Sequence, residues 1–197
     1  MGEPVESESF TNQDWYGEDL ADRTYTNCTF AQVDLTEASS QGAVFSDCTF
    51  GNVRFNASRH THSAFVRCTF NRCNFFDASF TGCKLIGSTF RDSELRPLTV
   101  LRGDWSFVGL AGADLRDVTF RGVRMREVDL TGANCTDAVF ADVDLSGAQL
   151  ERVTFTGCDL RGSDLSALDP MTAELAGAII GPEQTLVIAQ LLGFEIR

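Results

Sequence analysis

Seven cysteines and two histidines are the residues of this chain that could ligate a metal or act as nucleophile and base. Their spacing argues against both roles. Cys28, Cys48 and Cys68 lie twenty residues apart, and Cys73, Cys83 and Cys158 fall on the same five-residue grid, with Cys135 in a different slot of it. None makes the close pair of a zinc site. An odd count does not close a disulfide framework, and thiols in a reducing compartment stay free. His60 and His62 have no converging carboxylate or cysteine that would make a base or a nucleophile. His60 is instead expected to point inward and share a polar notch with Ser40, twenty residues before it. The glycines form no phosphate-binding loop. The residue inventory predicts a protein that is not an enzyme and that uses no metal or cofactor.

The five-residue grid is the organising feature. Counting every fifth residue from Phe10 gives Trp15, Leu20, Tyr25, Phe30 and Leu35, and the column runs on without slipping to Leu175 and Ile180. Thirteen of the 16 Phe fall in this column, far more than chance would place there. Ser40, His60 and Pro170 interrupt its apolar character. Two residues before each large position is a small one, as in Cys28, Val33, Ala38 and Ala43; two residues after it, Gly recurs, as at Gly17 and Gly42. A period of five suits neither an α-helix at 3.6 residues nor a flat strand at 2. It suits a coil that turns a corner after every unit, with one large and one small side chain pointing inward. Four sides close a square, and the coil of twenty residues is visible separately in Asn27-Cys28-Thr29-Phe30, Asp47-Cys48-Thr49-Phe50 and Arg67-Cys68-Thr69-Phe70. The expected fold class is all-β, a quadrilateral parallel β-helix with coils about 4.8 Å apart. The chain is 43% hydrophobic, which supplies the core such a rod needs.

The grid sets the expected organisation: an N-terminal tail over 1–9, the β-helix over 10–181, and a terminal segment over 182–197. Pro182 and Glu183 at the start and Gly193 at the end punctuate a short α-helix. Leu186, Val187, Ile188, Leu191 and Leu192 cover more than one of its faces. One reading is a cap over the open end of the rod. A second adds Phe194 and Ile196 and joins two chains tail to tail.

Charge is patterned along the chain. The total is −12, which argues against direct nucleic-acid binding. Residues 1–50 hold ten acids and one Arg, whereas residues 51–100 hold three acids and seven bases, so an acidic tip meets a basic collar. The collar consists of Arg54, Arg59, Arg67, Arg72, Lys84, Arg91 and Arg96. The twenty-residue period stacks outward acids in rows: Glu37, Asp77, Asp117 and Asp137; Asp14, Asp34, Glu94 and Asp114; Asp104, Asp144 and Asp164. By itself this is compatible with an ordinary solvated surface. The acidic N-terminus lacks the basic and apolar parts of a signal peptide, and no apolar run reaches membrane-spanning length, so a cytoplasmic protein is expected.

The repeat resembles that of the pentapeptide-repeat family, over nearly the whole chain. Within it, Ser63-Ala64-Phe65 with Cys68-Thr69-Phe70, the stretch Leu95-Arg96-Pro97-Leu98-Thr99, and Gly112-Ala113-Asp114-Leu115-Arg116 are similar to the MfpA and Qnr fluoroquinolone-resistance proteins. The unbroken register is nearer MfpA, because Qnr proteins carry loops. The resemblance implies a right-handed β-helix, a kink at Pro97, and a homodimer joined through the C-terminal helix. It also implies a DNA mimic that binds DNA gyrase, and topoisomerase IV as a further target, as a topoisomerase inhibitor that protects against quinolone-like poisons and so confers antibiotic resistance. The partner-binding acids would be Asp14, Asp19, Asp22, Asp34, Glu37, Asp47, Asp77, Asp114, Asp117, Asp137 and Asp144. The alternative is a general interaction scaffold whose partner is unrelated to DNA.

Overall fold

A computed structural model describes residues 3–196 of the chain. The chain winds as a right-handed parallel β-helix with four sides and ends in one short helix. Three sides are ladders of very short strands. One stacks Val5–Glu6, Thr24–Thr26, Val44–Ser46 and Ala64–Val66. The next stacks Ser9–Thr11, Thr29–Ala31, Thr49–Gly51, Thr69–Asn71 and Thr89–Arg91. The third stacks Ser39–Gln41, Arg59–Thr61, Ala78–Thr81, Leu98–Leu101, Thr119–Arg121 and Val139–Ala141. On the fourth side single parallel bridges join Asp14 to Asp34, Asp34 to Arg54, Arg54 to Asn74 and Asn74 to Glu94. Every pairing joins residues twenty apart, such as Tyr25 to Phe45 and Phe30 to Phe50. The ladder begins at Val5–Glu6, inside the stretch read from sequence as a tail, because Val5 already sits in a large slot and packs on the core.

The large and small columns point inward and are buried together. Coil spacing brings like residues into register, so Phe30 and Phe50 stack at 4.7 Å and Phe50 and Phe70 at 4.9 Å. Each corner needs one residue with left-handed φ, two positions after the large one. Gly, Asn and Asp occupy many of these corners, because they adopt φ near +55° at least cost. Pro97 stands at a corner but its ring fixes φ near −65°. The Arg96–Pro97 peptide is cis, and the rung shifts by one residue, with Asp77 N donating to Pro97 O at 2.8 Å where regular repetition points to Arg96.

The terminal helix α1 spans Pro182–Leu191. Gln184 pins it to the rod: its Nε2 donates to Leu160 O and Ser163 O, both at 2.8 Å, while its Oε1 accepts from Gly181 N at 2.7 Å. No helix among the described residues is long and apolar enough to cross a membrane.

Candidate functional site: the acidic surface

The acids singled out from the sequence fall into two structural slots. Asp14, Asp19, Asp34, Asp114 and Asp144 precede a large inward residue. In that slot Oδ1 accepts the backbone N–H two residues on, at 2.9–3.3 Å elsewhere in the chain and at 3.1 Å for Asp14 and Tyr16 N. These aspartates close turns. Asp22, Glu37, Asp47, Asp77, Asp117 and Asp137 occupy left-handed corners, with φ between 55° and 59°. Both slots favour short polar residues for reasons of backbone geometry, so position in the repeat alone does not mark a binding surface. What distinguishes the acids is whether a base neutralises them.

Much of the basic collar is turned onto acids of neighbouring coils. Arg54 pairs with Asp34, and this bond holds the Asp34 carboxyl down to about 2. Arg67 grips Asp47 with two hydrogen bonds of 2.7 Å, which lowers that carboxyl as well. Arg59 meets Asp77 at 2.8 Å. Asp114 lies between Arg116 at 2.7 Å and Arg96 at 3.0 Å, and the Arg116 hydrogen bond leads in lowering its pKa. Partial burial pushes Asp144 upward, but hydrogen bonds from Ser146 and Arg126 outweigh it and hold the group low. The supposed row of Asp104, Asp144 and Asp164 is interleaved with bases, since bridges run from Lys84 to Asp104, to Arg124 and on to Asp144. Arg72, Lys84 and Arg91 of the collar make no ion pair among the described residues.

Asp14, Asp19, Asp22, Glu37, Asp117 and Asp137 take part in none of these ion pairs. Four of the six lie on the N-terminal coils. Glu6 and Glu8 belong with them: both are exposed, on the first coil and without an ion pair among the described residues, and neither fills a turn or corner slot. Residues 1–9 look like a tail in the sequence, so neither acid stands out there; an acid where the repeat demands none is the signal that marks them. The hydrogen bond of the exposed Tyr16 to Glu37 raises the tyrosine pKa.

The apolar residues of the terminal segment divide. Leu186, Leu191, Leu192, Phe194 and Ile196 are exposed, Val187 is half-buried, and Ile188 packs against the core beside Leu165, Leu175 and Ile180. Ile188, partly buried, therefore helps to close the end of the rod. In the interior, His60 Nδ1 lies 2.8 Å from Ser40 Oγ and Nε2 lies 3.1 Å from Ser58 Oγ, and burial, helped by Arg59, drives its pKa down to about 3. Burial pushes the Cys73 and Cys83 thiols up to about 11, which leaves them protonated and unreactive at neutral pH.

Residues 73–150 match the family model described as a pentapeptide repeat region. No curated protein sequence matches the chain. Among solved structures, full-length QnrB1, a plasmid-mediated fluoroquinolone resistance protein, aligns with a TM-score of 0.71 at 18% identity, over 97% of this chain and 100% of that one. A trypsin-treated QnrB1 variant aligns with a TM-score of 0.69 at 21% identity, over 98% and 97% of the two chains. Identity this low carries the fold and not the partner. The unbroken five-residue grid, the matched region and the shared four-sided coil together mark the chain as one built from pentapeptide repeats.

Proposed function

We propose that this protein is a non-enzymatic DNA mimic that binds DNA gyrase, and topoisomerase IV as a second target, through its acidic N-terminal end. In the cytoplasm it would compete with a DNA segment, inhibit supercoiling at high dose and protect the enzyme from quinolone-like poisons. The observation that carries this reading is the distribution of unneutralised charge. Duplex DNA places one charge on about 1.7 Å of axis, so a coil of about 4.8 Å corresponds to about three. Residues 5–24, one coil, hold six acids and one Arg. They match or exceed that density, and most of these carboxylates have no ion-pair partner. Along the middle of the rod, arginines cancel the acids. Two chains joined through the exposed apolar residues of α1 would present one such end at each extremity.

The test is gyrase supercoiling against titrated protein, with and without a fluoroquinolone, at two salt concentrations. Inhibition at high dose, with less drug-induced cleavage at low dose and both effects weaker in high salt, is the expected result. No effect on either activity removes gyrase as the partner. Capture of another protein that is insensitive to salt would favour the general scaffold.

A further inference from the structure

The backbone ladder opens in two stretches: near the C-terminal end, where the rungs from Leu145 N to Asp164 O and from Leu150 N to Asp169 O are missing among the described residues, and in the middle of the rod around Leu95. In the preceding coil, Arg72 N donates to Arg91 O at 2.9 Å, Phe75 N to Glu94 O at 2.8 Å, and Glu94 N to Cys73 O at 2.9 Å. In the following coil, Gly112 N donates to Thr131 O, Leu115 N to Asn134 O, and Asn134 N to Ala113 O. Between them the equivalent three rungs are missing among the described residues: Asp92 N to Ala111 O, Leu95 N to Asp114 O, and Asp114 N to Ser93 O. The opposite side stays closed, with Leu85 N to Asp104 O at 2.8 Å and Asp104 N to Cys83 O at 3.0 Å. The coils are thus splayed into a wedge. Its cavity of about 370 Å³ is lined by Phe90, Leu95 and Ala113 with the strand edges of both coils. Phe90 is 8% exposed, where Phe50 and Phe70 in the same stack are sealed at 0%.

Unpaired backbone groups beside an opened core are costly unless something satisfies them. The lower lip offers the N–H groups of Asp92 and Leu95 and the carbonyl of Ser93; the upper lip offers the carbonyls of Ala111 and Asp114 and the N–H of Asp114. One extended strand, lying between the lips, supplies partners to both at alternate positions. An isolated anion would meet only the donors. Charge at the mouth is mixed: Arg91, Asp92 and Asp114 line it, and Asp114 is held by Arg96 and Arg116. Arg91 and, one rung below the wedge, Arg72 are exposed and make no ion pair among the described residues.

We propose that this wedge is a docking site for an extended peptide segment of a partner protein, bound by strand addition on both edges, with an acidic side chain meeting Arg91 and Arg72. The site is separate from the acidic tip and stands or falls independently of the gyrase reading.

The probe is the blocked peptide acetyl-Ser-Val-Asp-Val-Ser-amide, followed by amide NMR on the full chain. The expected result is saturable shifts at Asp92, Leu95 and Asp114 with slowed hydrogen exchange at those amides. Arg91→Glu, at an exposed position outside every ion pair, should weaken binding about tenfold or more and should favour the peptide with Lys in place of Asp. N-methylation of alternate peptide amides should abolish binding. Unchanged shifts and exchange at the three amides up to millimolar peptide would show a wedge filled only by solvent and overturn the proposal. So would binding that survives both N-methylation and Arg91→Glu.

Discussion

Gly103 and Gly112 both carry positive φ, yet they meet opposite constraints. A methyl group on Gly103, at φ 96°, would lie 2.1 Å from the carbonyl oxygen of Cys83, a backbone atom that has no room to move. On Gly112, at φ 66°, it would meet nothing within 4 Å. Gly103→Ala should therefore cost about 3 kcal/mol or more through clash and strain together, and Gly112→Ala about 1 kcal/mol for the left-handed conformation alone. Thermal melting separates the two, and equal losses would refute the argument. His60 supports a pH prediction. Its folded pKa of about 3 lies below the ordinary histidine value of 6.5, so the unfolded chain binds the extra proton as acid is added. Stability from this group is complete above pH 6.5 and falls by about 1.4 kcal/mol per pH unit below it, down to about pH 3. The double variant Ser40→Ala with His60→Phe removes the titrating group. It leaves Ser58 bonded to Phe55 O at 2.7 Å and Ser63 to Thr61 O at 3.2 Å. Between pH 7 and 4.5, wild type should lose more stability than this variant; identical acid limbs in denaturant titrations would exclude His60 as a contributor.

The coil was legible from residue types because its inward columns repeat with no interruption; stacking like on like leaves little freedom once the period is known. The wedge at Arg91–Asp114 was not legible, since it arises from rungs that fail to form, and its residues keep the grid. Pro97 gave a partial signal: a ring that forbids left-handed φ must alter a corner, but which rungs open depends on the packing of neighbouring coils. The acidic rows were legible as positions and misleading as charge, because the twenty-residue period also brings Arg54 onto Asp34 and Arg124 onto Asp104. Helix α1 shows the same division. Its boundaries follow from Pro182 and Gly193, but Ile188 and Val187 were indistinguishable from Leu191 by type, and the inward hold of Gln184 settles which face remains outside. If the exposed face joins two chains, Leu191→Glu with Leu192→Glu should give a monomer in sedimentation while the β-helix melts as before. A dimer that persists would move the contact elsewhere on the rod.

For the molecule as a whole, net charge is a weak guide, because five of the eleven acids proposed to bind a partner are tied to arginines in the rod itself. A partner reading this rod as a duplex would meet high negative density at the N-terminal coils and alternating charge along the middle. Reversal of free acids should therefore differ from reversal of paired ones. Glu6→Lys, Asp22→Lys and Glu37→Lys together change the field at the tip and break no ion pair. Asp47→Lys and Asp77→Lys remove two exposed ion pairs and place like charges beside Arg67 and Arg59. If the acidic end is the contact, the triple variant should lose gyrase inhibition and most of the salt dependence of binding with little change in melting temperature. The double variant should lose thermal stability and keep most of its activity. The reverse pattern, with the triple variant fully active and the double inactive but folded, would place the contact on the middle of the rod, where the arginines and acids would have to part to meet a partner.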